Sequence, residues 1–561
     1  MTRMNGAQAI VEALKKEKVK QIFGISGGAV LPLYDVLYDA DIRNILVRHE
    51  QCAAHMADGY ARATGFPGVC TATSGPGATN LVTGIANAYM DSSPIIALTG
   101  QVPRAMVGKD AFQEADIVGI TTPITKYVTQ VKNSEDIPKA IRTAFYIATT
   151  GRPGPVLVDI PKDVQTDSAE MEFPDSIELR GYKPRDDPHP IQVKRASEML
   201  VKAERPMILG GGGVIISNAS QELIRLAEFM AIPVTTTLMG KGCIPEVHPL
   251  SLGMVGMHGA AKANKLILES DVLLSVGARL SDRTTGRVDD FCPDTKIIHI
   301  DIDTAEIGKN VEADLPIVAD AGKALRQIYS QVVKKAVKRE NSPWLTRIQQ
   351  VKDQLTNDAK DEGESLKPPE VVRKLRELLP NDAIVTTEVG QNQMWAALYF
   401  KTLEPRTFIS SGGLGTMGFG FPASLGAKVA RPGVPVVDIA GDGSFIMTEQ
   451  ELATSVAEKI PVTVVILNNS MLGMVAQWQR MFYNRRYAGS MLKNSPDFVK
   501  LAEAYGAEGI RVGSIDEFSK AVRKALTNDV TTVVDVPISP EENVFPMVPS
   551  GKGLKEMIVW W

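Results

Sequence analysis

The sequence is poor in several of the groups from which active sites are commonly built. Its 561 residues hold four cysteines, Cys52, Cys70, Cys243 and Cys292, none of them in a CxxC pair. That excludes a disulfide-stapled scaffold, a zinc ribbon and thioredoxin-like redox chemistry, and leaves isolated buried thiols in a reducing compartment as the expectation. The six histidines end at His299, which disfavours a triad hydrolase or an imidazole-ligated metal site anywhere beyond it. A net charge of -4 rules out strong attraction to nucleic acid or an anionic membrane as the organising feature. No apolar run approaches the roughly 18–20 residues of a membrane-spanning helix, and the N-terminus opens on an amphipathic helix pattern without the apolar core of a signal peptide. A cytoplasmic protein, or the mature part of an imported one, is expected.

With 44% hydrophobic and 22% charged residues there is ample material for packed cores. At roughly 100–200 residues per domain the length predicts three or four of them. Residues 5–165 alternate helical periodicity with the short β-rich runs Gln21–Ile25, Ile45–His49, Gly68–Ser74 and Pro94–Thr99. The stretch 166–190 is polar and Pro-rich and reads as a linker. A second block carries Pro206–Leu209, Val234–Thr237, Val272–Val276 and Ile297–Ile302, and a charged connector runs from about Val337 to Pro369. The third block repeats the alternation with Ala383–Thr387, Thr407–Ser411, Val434–Ala440, Val462–Leu467 and Thr532–Val536. The expected fold is α/β, three consecutive parallel-sheet domains, the first and third alike in rhythm.

The most informative segment is Val436–Ser470. An apolar strand runs into Gly441-Asp442-Gly443-Ser444, a helix follows, and a second strand ends in Asn468-Asn469. Both polar clusters then fall at carboxyl ends of parallel strands, where open α/β sheets bind ligands. The glycine turn offers unhindered backbone N–H groups to a phosphate, and Asp442 and Asn469 offer hard oxygens suited to Mg²⁺. Turn residues alone would look similar; the pairing of the two clusters across one helix and one strand is the more specific signal.

This spacing resembles the signature of the thiamine diphosphate enzyme family. The resemblance implies Mg²⁺ ligands at Asp442, Asn469 and the Met471 carbonyl, with Gly441, Gly443 and Ser444 around the diphosphate. It implies a catalytic glutamate on another domain, bonded to the cofactor's aminopyrimidine, and Glu50 in the run Val47-Arg48-His49-Glu50-Gln51 takes that place. Thr73-Ser74-Gly75-Pro76-Gly77-Ala78-Thr79-Asn80 matches a cofactor-contacting turn, with Pro76 and Asn80 as contacts. The run Gly413–Gly420 matches the segment in which Gly415 offers a carbonyl to the cofactor amine and Met417 a bulky side chain beneath it.

Within the family the acetohydroxyacid (acetolactate) synthases are the most similar, over nearly the whole chain. Supporting runs include Phe112-Gln113-Glu114, Gly151–Asp163, Gly256-Met257-His258-Gly259, Val389–Trp395, Leu472–Val475 with Gln477-Trp478, and Pro546–Gly551. The resemblance implies catalytic roles for Gln113 and Lys162, and substrate contacts at Gly27, Gly28, Phe112, Arg283 and Trp478. It adds cofactor contacts at Val389, Gly390, Gln391, Asn392, Met474, Arg152, Gly211, Gly212, Thr237, Leu238, Met257, His258, Gly277, Arg279, Asp301 and Asp320. FAD is expected on the central block, where Leu209 to Gly213 supplies glycines but lacks the dinucleotide spacing; a flavin-free relative of that fold is the alternative. Arg279-Leu280-Ser281-Asp282-Arg283 departs from the usual Arg-Phe-Asp-Asp-Arg, and Asn392 and Met471 stand where histidines are frequent.

The implied domains are a pyrimidine-binding domain over 1–165, a central FAD-binding-like domain over 190–337, a diphosphate/Mg²⁺ domain over 370–545, and a tail, 546–561, over the active site. The implied reaction decarboxylates pyruvate and joins the two-carbon unit to a second 2-keto acid, pyruvate or 2-ketobutyrate, at the entry to valine, leucine and isoleucine synthesis. A homodimer or tetramer, with a small regulatory subunit, would be the working form. A flavin-dependent pyruvate oxidase or another carboligase is the alternative within the fold. A non-catalytic regulatory or binding relative that keeps the fold, and a nicotinamide dehydrogenase, are the alternatives of other classes.

Overall fold

The computed structural model describes residues 2–355 and 366–559; the end of the charged connector and the terminal Trp560-Trp561 lie outside the described residues. Among the described residues there are three six-stranded sheets and one further two-stranded pair, formed by the N-terminal strand and a strand after the first large sheet. The described strands of each large sheet pair in parallel where their registers are defined. Their central strands, such as Ile95–Gln101 and Val156–Pro161, are buried along their whole length, as both faces of a helix-covered parallel sheet must be.

Strand order distinguishes the sheets. Numbering strands by position within each sheet, the first (Gln21–Gly24 to Val156–Pro161) and the third (Ile384–Thr387 to Thr532–Pro537) share the order 2-1-3-4-6-5. The central sheet (Pro206–Gly210 to Leu315–Val318) runs 3-2-1-4-5-6, the order of dinucleotide-binding folds. The shared rhythm expected of the first and third blocks is therefore a shared topology. In each sheet the order reverses beside the first strand, which opens a crevice at the carboxyl ends of two neighbouring strands.

The chain divides into two compact units: 1–183, 383–390 and 409–537 form one, and 184–382, 391–408 and 538–561 the other. In the first unit the helix Glu50–Thr64 starts with His49 accepting from the Gln51 N–H and ends at Gly65, whose φ of 81° suits a residue without Cβ. It packs on the helix Gly420–Ala430 through small residues. A single apolar cluster there joins Phe23, Ala53 and Ile85 to Phe421, Phe445 and Ile466. In the second unit, Val548 and Leu554 of the tail lie in the apolar cluster of Leu209, Leu273 and Trp344.

Two expectations need correction. The N-terminus opens on a strand, Thr2–Asn5, before the helix Gly6–Lys16, and that strand pairs antiparallel with Ser168–Met171. Part of the expected linker is thus a strand, because a distant partner supplies the hydrogen bonds its polar composition hid. The strand expected at Ile45–His49 lies at Arg43–Leu46, since His49 is needed as the cap of the next helix. All four thiols are free and buried, as expected, and burial pushes Cys70, Cys243 and Cys292 up to about 12. Among the described residues no helix is long and apolar enough to cross a membrane.

Candidate active site

The strand Val436–Gly441 delivers Asp442 to the switch point of the third sheet, at the start of the helix Asp442–Phe445. Asp442 is buried, one carboxylate oxygen has no hydrogen-bond partner among the described residues, and burial pushes its pKa up to about 7 against the backbone N–H groups of Gly443 and Asn469. The strand Thr463–Asn468 brings Asn469 alongside, its side-chain oxygen accepting from the Met471 N–H at 3.1 Å. A Cβ placed on Gly443 would lie 3.9 Å from the Met471 carbonyl oxygen. A carboxylate with one unpartnered buried oxygen, an amide and a carbonyl therefore lie close together.

No group of three or more His, Cys, Asp or Glu suited to a metal occurs among the described residues. A cation here would be held by one carboxylate and neutral oxygens, leaving positions for ligand oxygens, and that donor set suits Mg²⁺. The buried orphan oxygen of Asp442 fits such an ion, and the glycine turn fits a diphosphate.

Across the same crevice stand Val389 and Gly390, after the strand Ile384–Thr387. Gly415 has φ 72° and faces Val389, with a Cβ there reaching only the Val389 side chain at 3.9 Å. Met417 is half-buried. The Ser444 hydroxyl donates to Glu388 at 2.5 Å, and Glu388 also accepts from the Gly418 and Phe421 N–H groups at 2.7 and 2.9 Å. Burial pushes the Glu388 carboxyl up. Sequence reasoning missed Glu388; its only signal was a carboxylate immediately before the Val389-Gly390 run. Met474 and Trp478 sit one turn apart on the helix Gly473–Phe482, hence on one face.

In the first sheet Glu50 begins its helix and accepts from Asn80 Nδ2 at 2.9 Å. A Cβ on Gly75, before Pro76, would lie 2.7 Å from the Gln113 carbonyl oxygen, so the Phe112-Gln113 loop closes on this turn, and Phe112 is 88% exposed. Thr73 Oγ1 accepts from the Ala29 N–H at 3.2 Å and lies against Gly27. Lys162 opens the helix Lys162–Thr166 and lines a shallow pocket with Leu31 and Pro32, just after Gly27-Gly28. Glu50, Asn80, Gln113, Gly27 and Gly28 are thus gathered at the carboxyl ends of neighbouring strands. Arg152 donates through Nε to the Ser92 hydroxyl at 2.8 Å.

The second unit holds the remaining positions. Gln391 and Asn392 begin the helix Gln391–Tyr399 and are buried, Gln391 donating to the Glu542 carbonyl at 2.9 Å. At the central switch point the Gly211 N–H donates to the Val276 carbonyl and the Gly213 N–H to Gly277, whose φ is 58°, which brings Gly211, Gly212 and Gly277 together. Thr237 caps the turn Leu238–Gly240. Asp301 ends the strand Lys296–Asp301 and accepts from the Asp303 N–H. The His258 ring is buried, its Nδ1 has no hydrogen-bond partner among the described residues, and burial pushes its pKa down to about 4. Thr236 Oγ1 and Ser275 Oγ are also buried without partners among the described residues. The strand order, glycines and orphaned polar atoms fit a dinucleotide.

Two members of the expected set are otherwise engaged. Asp320 caps the helix Ala321–Val332 by accepting from the Lys323 N–H at 2.9 Å. Arg283 is exposed, 3.9 Å from Asp282, and points Nη1 at the Met257 sulfur; Asn310 donates to the Arg279 carbonyl.

Three family models match the chain: thiamine pyrophosphate enzyme, N-terminal TPP binding domain, over residues 4–120; central domain, over 193–328; and C-terminal TPP binding domain, over 388–536. Among curated proteins it is 54% identical to a probable acetolactate synthase large subunit of Methanocaldococcus jannaschii, over 99% of this chain and 95% of that one. It is 47% identical to an acetolactate synthase of Mycobacterium bovis, covering 99% and 92%. Against the acetolactate synthase isozyme 3 large subunit of Escherichia coli the identity is 45%, covering 99% of both chains.

Proposed function

The chain belongs to the acetolactate synthase large-subunit family of thiamine pyrophosphate enzymes, and from that premise we propose how its residues divide the work of the reaction. It is an enzyme of the acetolactate synthase kind, serving branched-chain amino acid synthesis. The substrates are two 2-keto acids: two pyruvates give 2-acetolactate and CO₂, and 2-ketobutyrate as acceptor gives 2-aceto-2-hydroxybutyrate.

The observation that carries the assignment is the convergence of Asp442, Asn469 and the Met471 carbonyl beside an orphaned buried carboxylate oxygen. These three would hold Mg²⁺, and the N–H groups of the Gly441–Ser444 turn would hold the diphosphate. Thiamine diphosphate, when bound, supplies the nucleophilic carbon and accepts the electron pair released with CO₂. Glu50 holds and returns a proton at the pyrimidine ring, with Asn80 fixing its carboxylate. Gly415 would offer its carbonyl to the ring's amine, and Met417 would pack its side chain against the cofactor. Gln113, Lys162 and Phe112 enclose the donor keto acid with the backbone of Gly27-Gly28, and Trp478 shapes the pocket of the acceptor.

FAD belongs on the central sheet, its pyrophosphate near Gly211-Gly212 and Gly277, its remaining contacts at Thr237, Leu238, Met257, His258, Arg279, Asp301 and Asp320. It has no net electron to carry in this reaction. The working form is a dimer or tetramer, accompanied by a small regulatory subunit, as the large-subunit names of the relatives suggest, and the compartment is the cytoplasm. The domain division at 1–165, 190–337 and 370–545, with a C-terminal tail from 546, is part of this proposal.

The test is product analysis from pyruvate with and without 2-ketobutyrate, omitting thiamine diphosphate, Mg²⁺ and FAD in turn. Acetohydroxy acids that vanish without thiamine diphosphate or Mg²⁺ support the assignment; acetyl phosphate or peroxide would place the chain with the pyruvate oxidases.

A further inference from the structure

Beneath the loop 410–418 of the first unit lies a buried polar network that the reaction chemistry does not use. Asp91 accepts from the Gly412 and Gly413 N–H groups at 3.1 and 2.7 Å and from Arg62 Nη2 at 2.7 Å. Arg62 also donates Nε to Asp58 at 2.7 Å and Nη1 to the Ser410 carbonyl at 2.6 Å, and its guanidinium lies 5.2 Å from the Phe419 ring. Asn87 donates to Asp58 at 2.8 Å, while its carbonyl accepts the Ser411 and Thr416 hydroxyls at 2.6 and 3.0 Å. Ser411 Oγ in turn accepts from the Thr416 N–H at 2.8 Å.

The side chains of Asp58 and Asp91 are 0% exposed and that of Arg62 12%. Two carboxylates face one guanidinium, and the loop's own N–H groups and Asn87 supply the remaining donors, so the network is complete only when the loop is seated. Buried ionic clusters of this kind contribute little net stability, because desolvation offsets their attraction. What they supply is a single geometry. Loops are ordinarily satisfied by water; this one is satisfied by side chains of the helices Glu50–Thr64 and Val82–Met90 and of Asp91 just beyond them.

We propose that Asp58, Arg62, Asn87 and Asp91 are positioning residues that hold Gly412–Thr416, and with it the Gly415 carbonyl and Met417, in the one conformation that receives the aminopyrimidine ring. The proposal rests on the roles assigned above to Gly415 and Met417. Arg62 and Asp58 share a helix with Glu50, so one rigid element both carries the catalytic carboxylate and seats the loop.

The experiment compares the full-length protein with Ser411→Ala, which deletes one hydroxyl, and with Asp91→Asn. Amide hydrogen exchange of the peptide 410–418 is followed without cofactor, and binding of thiamine diphosphate and of inorganic diphosphate is measured with Mg²⁺. Losing the two buried hydrogen bonds of the Ser411 hydroxyl should speed exchange of that peptide by at least about tenfold, with no change in Val436–Gly441. Affinity for thiamine diphosphate should fall by a similar factor, whereas inorganic diphosphate, held by the Asp442 turn, should bind as before, and the KM for pyruvate should stay within error. Unchanged exchange, or faster exchange with unchanged thiamine diphosphate affinity, would overturn the positioning role. If thiamine diphosphate binding to the wild-type protein leaves exchange of 410–418 unaltered, the assignment of Gly415 and Met417 fails first and the proposal with it.

Discussion

Glu50 gives one carboxylate oxygen to Asn80, and in the proposed mechanism the other would serve the pyrimidine ring. Glu50→Gln keeps the Asn80 contact through its amide oxygen but has no exchangeable acid proton at the relevant range of pH. Steady-state assay should show kcat lowered by about 10²–10⁴-fold with thiamine diphosphate binding little changed; unchanged turnover would remove Glu50 from the mechanism. Asp159 offers a test of burial instead. It accepts from Thr99, Gln101 and Gln130, yet burial outweighs these bonds and raises its pKa to about 6 from an ordinary 3.8. The folded state therefore takes up the proton first as pH falls, so the cost of the charge is fully present above pH 6 and disappears toward 3.8. Asp159→Asn should stabilise the fold at pH 8 by up to about 3 kcal/mol, with the gain shrinking below pH 6. Thermal midpoints across pH measure this, and a gain that grows on acidification would contradict it. Asp442 and Asn469 were legible in the sequence because both lie in local turns at fixed spacing. Glu388, Asn87 and Asp91 were not, because their partners lie far along the chain: Asp91 meets Gly413 across 322 residues.

At the scale of elements, the contact between the helices Glu50–Thr64 and Gly420–Ala430 depends on missing side chains. A Cβ at Gly59 would sit 2.1 Å from the Ala423 carbonyl oxygen, and one at Gly426 2.0 Å from that of Met56. Neither backbone can yield without separating the helices. Gly59→Ala should lower stability by about 2–3 kcal/mol, read as a lower thermal midpoint; an unchanged midpoint would mean the helices do not cross this closely. The buried strands were legible as apolar runs. Tyr127–Gln130, Ser251–Met254, Leu315–Val318 and Glu508–Arg511 were not anticipated; all four are edge strands of only four residues, too short to show a sustained apolar run. Val156–Pro161 was read only as part of a motif, its glycine and proline neighbours masking a fully buried strand.

At the scale of the molecule, the first unit leaves large apolar side chains open to solvent: Phe112 is 88% exposed, Met447 51%, Leu414 46% and Phe482 47%. Phe112 and Leu414 belong to the loops that carry Gln113 and Gly415. Exposed apolar groups on these loops call for a covering surface, and in the proposed dimer a second copy of the chain would supply one. The family resemblance assigns Glu50 of one copy to the metal clamp of another. The most direct measurement is a dimer purified by two different tags, one copy carrying Glu50→Gln and the other Asp442→Asn, assayed for acetolactate from pyruvate beside each inactive homodimer. With sites shared between copies, one site in the mixed dimer keeps both intact residues, so about half the wild-type activity should return. If each chain instead completed its own site, both sites would be damaged and the mixed dimer would be as inactive as its parents.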